Sequence, residues 1–218
     1  MTEADTHRYE CIAQTDAAYA MKGTNKTLES LTKIRHESSR AVNAENPTGE
    51  PGKGGIAASE LGPSRKGSPC LRNIPVGATA TLADITGPGC IRHIWITVDE
   101  KTTDADCFVL RDLVLRFYWD DEEEPSVECP LGDFFCCGFG RACLVNSMPV
   151  AVVPNRGFNM YFSMPFGARA RITLENQHKN AISAFYYQID YTVTDEPFDD
   201  DIAYFHAQWR RQRLTEKG

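Results

Sequence analysis

Between Ile74 and Val193 the chain is a succession of short segments that alternate apolar and polar residues, and helical spacing is absent throughout. The segments are TATLADI, CIRHIWITVD, DLVLRFYWD, SVECPLG, ACLVNS, AVVPN, GFNMYFSMPF, ARARITLEN and AISAFYYQIDYTVTD. Breakers separate nearly all of them: Gly87-Pro88-Gly89, Glu124-Pro125, Pro154-Asn155-Arg156-Gly157 and Phe166-Gly167 are turn chemistry. Strands with one wet face and no intervening helices bury their dry faces only by stacking one sheet on another. The expected fold is therefore all-β, a single antiparallel jelly-roll sandwich over residues 74–195. In the clearest strand, Leu113, Leu115, Phe117 and Trp119 alternate with Val114, Arg116, Tyr118 and Asp120.

The flanks read differently. Residues 1–40 form an extension with one short helix, because Leu28, Leu31 and Ile34 fall at helical spacing behind Thr27 or Asn25 as an amino-terminal cap. Residues 41–73 are rich in Gly, Pro, Ser and Asn and have no period, so they are expected to form a long irregular loop, either a linker or a functional segment laid over the scaffold. Residues 196–218 begin acidic, become amphipathic and basic in YFHAQWRRQRLTEKG, and read as a connector. His206 and Trp209 in that connector are candidates for docking on another domain or subunit.

A formal net charge of -7 and the lack of a basic stripe argue against a nucleic-acid partner. No apolar run is long enough for a membrane span and the amino terminus is polar, so a cytoplasmic protein without a membrane partner is expected. Of the eight cysteines, Cys107, Cys129, Cys136, Cys137 and Cys143 fall in or beside apolar runs and are expected to be buried reduced thiols. No Cys-x-x-Cys pair exists, so no metal site is expected. Asn25-Lys26-Thr27 matches a glycosylation acceptor, idle without export. No cofactor is expected either: GEPGKGG has no hydroxyl after its lysine and no following helix, and no Gly-x-Ser-x-Gly elbow is present.

Where the strand LVLRFYWD ends, five acids run from Asp120 to Glu124, and Asp133 follows between Gly132 and the pair Phe134, Phe135. Carboxylates beside aromatic rings are the materials of a sugar site. The acid run is otherwise a solvated turn, and Trp119, a candidate stacking platform, otherwise belongs to the core through its alternation with Phe117. Arg92 requires a carboxylate partner if it is buried, and His93 on the same segment reads as a satisfied core or interface histidine.

The motifs ENPTGEPGKGG, DITGPGCIRHIWITV, LRFYWDDEEEPSVECPLGDFF and YYQIDYTVTDEPFDDDIAYFHAQWRR together resemble glycoside hydrolase family 172, over roughly residues 25–213. That resemblance implies a double jelly roll assembled as trimers or dimers of trimers, cleaving α-linked fructofuranosides or D-arabinofuranosides with retention. In the family, the segment equivalent to FHAQWRR leads into a second jelly roll that supplies two catalytic glutamates, and no counterpart of that half is read here. The resemblance thus implies the amino-terminal half of a double jelly roll, inactive alone, acting with a complementary carboxyl-terminal half or as a homo-oligomer. The alternative is a non-catalytic carbohydrate-binding or assembly module.

Retaining cleavage uses two carboxyl groups about 5 Å apart. Asp133 is the best catalytic candidate, with Gly132 permitting a tight turn and Phe134 or Phe135 giving it an apolar wall; the alternative is that it caps a loop. A partner for it is sought among Glu45, Glu50 and Glu128. The expected substrate-binding residues are Glu45, Asn46, Thr48 and Glu50 of the ENPTGE loop, with Trp119, Asp133 and Phe134.

Overall fold

The computed structural model describes residue 34 and residues 36–62, 67–99, 108–153, 156–195 and 201–212. The helix expected before residue 35 and the Asn25 acceptor lie outside them, apart from Ile34 itself, which is exposed outside any helix. Among the described residues thirteen strands form two sheets over one apolar core. The larger sheet runs β1 (Ser38–Asn43), β12 (Ile182–Val193), β4 (Gly89–Val98), β9 (Gly157–Met160), β8 (Val150–Val153) and β7 (Val145–Asn146). Off that path, β2 (Leu71–Ile74) pairs with β12 and β10 (Met164–Phe166) with β4. The smaller sheet runs β13 (Ala207–Gln208), β6 (Val127–Pro130), β5 (Leu113–Trp119), β11 (Arg169–Asn176) and β3 (Thr79–Thr86). The expected β-sandwich is present, and its topology is compatible with a jelly roll.

The alternation in β5 holds: Leu113, Leu115, Phe117 and Trp119 are buried, while Arg116 and Tyr118 are half-buried on the other face. Phe117 sits 5.3 Å from Phe134, ring to ring, and Phe135 sits 5.5 Å from Phe158 on the opposing sheet, so aromatic contacts cross the sandwich. In β4 the sequence phase breaks. His93 pairs with Asp190 and Ile91 with Tyr191, leaving Arg92 as an extra residue in a bulge. That one-residue shift puts both Ile91 and Ile94 in the core, whereas strict alternation assigns them to opposite faces. Arg92 finds its carboxylate in Glu37, 3.0 Å away, and bonds the Thr192 hydroxyl at 3.1 Å.

Four expectations are corrected. Two helical turns, α1 (Val109–Asp112) and α2 (Leu131–Phe134), interrupt the strand series; each spans four residues, too few for a helical period to show in sequence. The irregular loop is shorter than 41–73, because its ends are drawn into β1 and β2 by pairing with β12. Not every pair is antiparallel, since β13 runs parallel to β6. Finally, the tail from residue 201 to 212 is no free connector. The Phe205 carbonyl accepts the buried Trp119 indole N–H at 2.8 Å, the Phe205 ring packs on Phe134 and Phe162, and the Tyr204 hydroxyl donates to Asp120.

On the outer face of the larger sheet, His93 is held at both ring nitrogens, 2.9 Å from an Asp190 carboxylate oxygen and 3.1 Å from the Asn159 side-chain oxygen, and it stacks on Tyr161. The Asp190 hydrogen bond raises the His93 pKa against the opposing effect of burial.

Two consequences are testable. Phe117→Ala is expected to destabilise the domain by about 3–5 kcal/mol, read from denaturant unfolding, because the fully enclosed ring leaves a cavity the packed sheets cannot close. For His93 the folded pKa lies above the unfolded value of about 6.5, so its contribution is full below that value and fades as pH rises through the higher folded pKa. His93→Gln should therefore cost most stability in mildly acidic buffer and progressively less in alkaline buffer, in thermal melts across that range.

Candidate functional site

The site is built where α1 and α2 touch. A Cβ on Gly132 would meet the Leu110 Cβ and the Cys137 carbonyl oxygen at 3.0 Å each, so glycine is there to let α1 lie against α2. This is a different role from the tight turn read in the sequence. One residue further along each helix, Arg111 and Asp133 then come together, with Arg111 Nε 3.3 Å from Asp133 Oδ2. The position of α1 is fixed from the other side as well, since the buried His178 holds the Asp112 carboxylate at 2.8 Å and the Gln177 amide donates to the Asp112 carbonyl.

Arg111 also donates to the Gly138 carbonyl and lies over the ring of Trp209, 5.2 Å from its centroid. Trp209 arrives on the tail, where its backbone N–H bonds the Glu128 carbonyl at 3.0 Å just beyond the β13–β6 pairing. Together Phe108, Arg111, Asp133, Phe139, Trp209 and Arg210 line an open groove of about 590 Å³. Phe139 is 92% exposed at its rim. The Asp133 side chain is only 15% exposed, and burial raises its pKa against the opposing pull of the Arg111 charge and the Trp209 side chain. A carboxyl group whose pKa is raised by burial, a guanidinium and an indole ring on one wall are suited to hydrogen-bond and stack against a polyhydroxylated ligand.

The expected site residues are dispersed. Trp119 is 1% exposed with its N–H spent on Phe205, so the core reading holds and the sugar-stacking expectation does not. Phe134 is likewise buried among Phe117, Phe135 and Phe205, supporting Asp133 from behind rather than facing a ligand. In the ENPTGE loop, Asn46 is buried; its side chain bonds the Glu50 amide and carbonyl at 3.1 and 3.0 Å. The Glu45 carboxylate accepts the amides of Gly55 and Ala57 at 2.5 and 2.7 Å. Gly49, at φ +67°, has no room for a Cβ beside the Tyr191 hydroxyl. Of the four expected residues of this loop only Thr48 and Glu50 are exposed, and none of Glu45, Asn46, Thr48 or Glu50 lines the Asp133 groove. Glu128 is committed to Arg116 at 2.5 Å and does not line it either.

Within the acid run, Asp121 to Glu124 are exposed, but Asp120 is half-buried and caps the amides of Gly167, Ala168 and Arg169. Among the described residues, no three His, Cys, Asp or Glu side chains form a group suited to a metal ion, and no helix is long and apolar enough to cross a membrane. Sequence reasoning missed Arg111 and Phe139, and named Trp209 only as a residue for docking on another domain or subunit. The one available signal was the Trp-Arg-Arg run of the tail.

A search of curated proteins returns no match. A family model described as GH172 domain-like matches residues 70–189, a span that contains Arg111, Gly132 and Asp133 and leaves the ENPTGE loop and Trp209 outside. Since that match takes in more than half of a chain already built as a β-sandwich with a carboxyl-bearing groove, the protein belongs to the GH172 family, a family of glycoside hydrolase type.

Proposed function

We propose that the chain is the amino-terminal, sugar-contacting jelly roll of a retaining α-D-furanosidase, acting on fructofuranosides or arabinofuranosides, with catalytic glutamates brought by a second jelly roll. The observation that carries this reading is the groove itself: Asp133 is its sole carboxylate among the described lining residues, held in partly apolar surroundings beside Trp209. Retaining hydrolysis uses a pair of carboxyl groups. One carboxyl group binds or orients a sugar, and the cleaving pair comes from another domain or subunit. Oligomerisation and a cytoplasmic location belong to the same proposal. The second reading, a non-catalytic carbohydrate-binding module, is favoured by the same lone carboxylate.

The two readings separate in one assay. The purified chain is expected to leave aryl α-D-furanosides intact, and to support their cleavage when mixed with a carboxyl-terminal half from the family. Furanoside binding without cleavage in the mixture leaves the binding module. Loss of both binding and cleavage rejects the groove as a sugar site.

Trp209→Ala should weaken furanoside binding by roughly fivefold, corresponding to about 1 kcal/mol of lost aromatic contact, in a calorimetric titration. Asp133→Asn should weaken it roughly ten- to hundredfold if the carboxyl group bonds the ligand. Its effect on stability has the opposite sign. The folded pKa of Asp133 is raised, so ionisation disfavours the fold once pH exceeds the unfolded value. Asp133→Asn is therefore expected to melt at or above the wild-type temperature at neutral pH, with the advantage disappearing in acid where the native carboxyl group is protonated.

A further inference from the structure

The thiols are not uniformly buried: Cys129 and Cys137 are, whereas Cys136 and Cys143 are exposed. Cys137 and Cys143 stand with their sulfur atoms 3.6 Å apart, at the two ends of the loop that carries Gly138, Phe139 and Gly140 into the groove wall. A disulfide needs about 2.05 Å between sulfurs, so the pair closes with a shift of roughly 1.5 Å. The intervening loop can give that shift, since it contains two glycines and Arg141 and Phe139 within it are exposed. We propose that Cys137 and Cys143 are a thiol-oxidation site, converted to an intramolecular disulfide by exchange with a small-molecule disulfide.

The accessible Cys143 thiolate attacks one sulfur of the small disulfide and expels one thiolate, leaving a mixed disulfide on Cys143. Cys137 loses its proton to solvent, and its thiolate attacks the Cys143 sulfur and expels the second thiolate. Two protein thiols and one small disulfide become one protein disulfide and two small thiols. The order follows from access, because Cys143 is exposed and the buried Cys137 is out of reach of a bulky reagent. Burial also pushes the Cys137 thiol up to about 11, which makes its attack the slow step and accelerates it with alkalinity. Oxidation fixes the groove wall that presents Phe139, and the chemistry does not depend on what the groove binds.

The test treats the full chain with oxidised glutathione at mildly alkaline pH, followed by tryptic digestion without reduction. Cleavage after Arg141 falls between the two cysteines, so the disulfide joins peptide Phe117–Arg141 to peptide Ala142–Arg156. The linked pair is expected in wild type and in Cys136→Ser and is lost in Cys143→Ser, an exposed position where the fold is undisturbed. Cys137→Ala, checked for folding by its melt, should stop at glutathione on Cys143. A wild-type product that stays glutathionylated, a link that disappears in Cys136→Ser, or no link at all overturns the assignment.

Discussion

The approach of Leu110 to Gly132 is the contact on which the groove depends. A four-residue helical turn has little stability of its own, since forming the first turn fixes several dihedrals for a single hydrogen bond. Neither α1 nor α2 has a side-chain amino-terminal cap. Their geometry is set from outside: His178 and Gln177 hold α1, and the core burial of Leu131 and Phe134 holds α2. With both backbones pinned and only a hydrogen atom between them at Gly132, Arg111 and Asp133 meet without a long flexible reach. The ion pair is a result of backbone packing, and its position is correspondingly rigid.

A second constraint draws the tail in. The Trp119 indole N–H is buried, and leaving such a donor unpaired costs about 1–3 kcal/mol. No partner comes from its own strand, and the Phe205 carbonyl supplies it from the far end of the chain. Once Phe205 is seated against Phe134 and Phe162, the next residues run beside β6, and Trp209 is delivered to Arg111. The core residue thus acts on the groove through the segment it anchors. The aromatic face of Trp119 was a poor guide to this, because a ring that fills a core and a ring that stacks on a ligand leave the same mark in a sequence.

The sandwich was legible because β3, β5, β11 and β12 each bury one face against the other sheet, which writes a period of two into the residues. β1, β2 and β13 were not, since their pairing is dictated by β12 and β6 rather than by their own apolar content. The bulge at Arg92 was invisible for a related reason: a one-residue slip is a property of two strands, and the sequence of one strand carries no record of it. The Asp133 position was legible from Gly-Asp-Phe-Phe. Its partners were not, because Arg111 and Trp209 reach it through helix packing and strand addition between distant segments. The composition of the ENPTGE loop has two readings, for side chains suited to bonding a sugar are equally suited to bonding the loop's own amides, as Asn46 and Glu45 do.

Two aspartates near the smaller sheet show how the fold separates a structural anion from a chemical one. At Asp120 desolvation is the largest single influence and acts to raise the pKa, yet the Tyr204 hydroxyl and the amides of Arg169, Ala168 and Gly167 together overcome it and leave the group below its ordinary range. Desolvation leads at Asp133 too, but there it prevails, because Arg111 is shared with the Gly138 carbonyl and the Trp209 ring, and the bonds from the Trp209 side chain and from Asp133's own amide do not offset it. A carboxylate bound by aligned amides has no capacity left for a ligand, and its charge is fixed. One held in an apolar wall beside a shared cation is not committed to a row of amides, and its raised pKa responds to its surroundings. Within the acid-rich stretch from Asp120 to Asp133, that difference in hydrogen-bond supply, rather than the density of acids, separates the carboxyl group of the groove from the one that holds a turn.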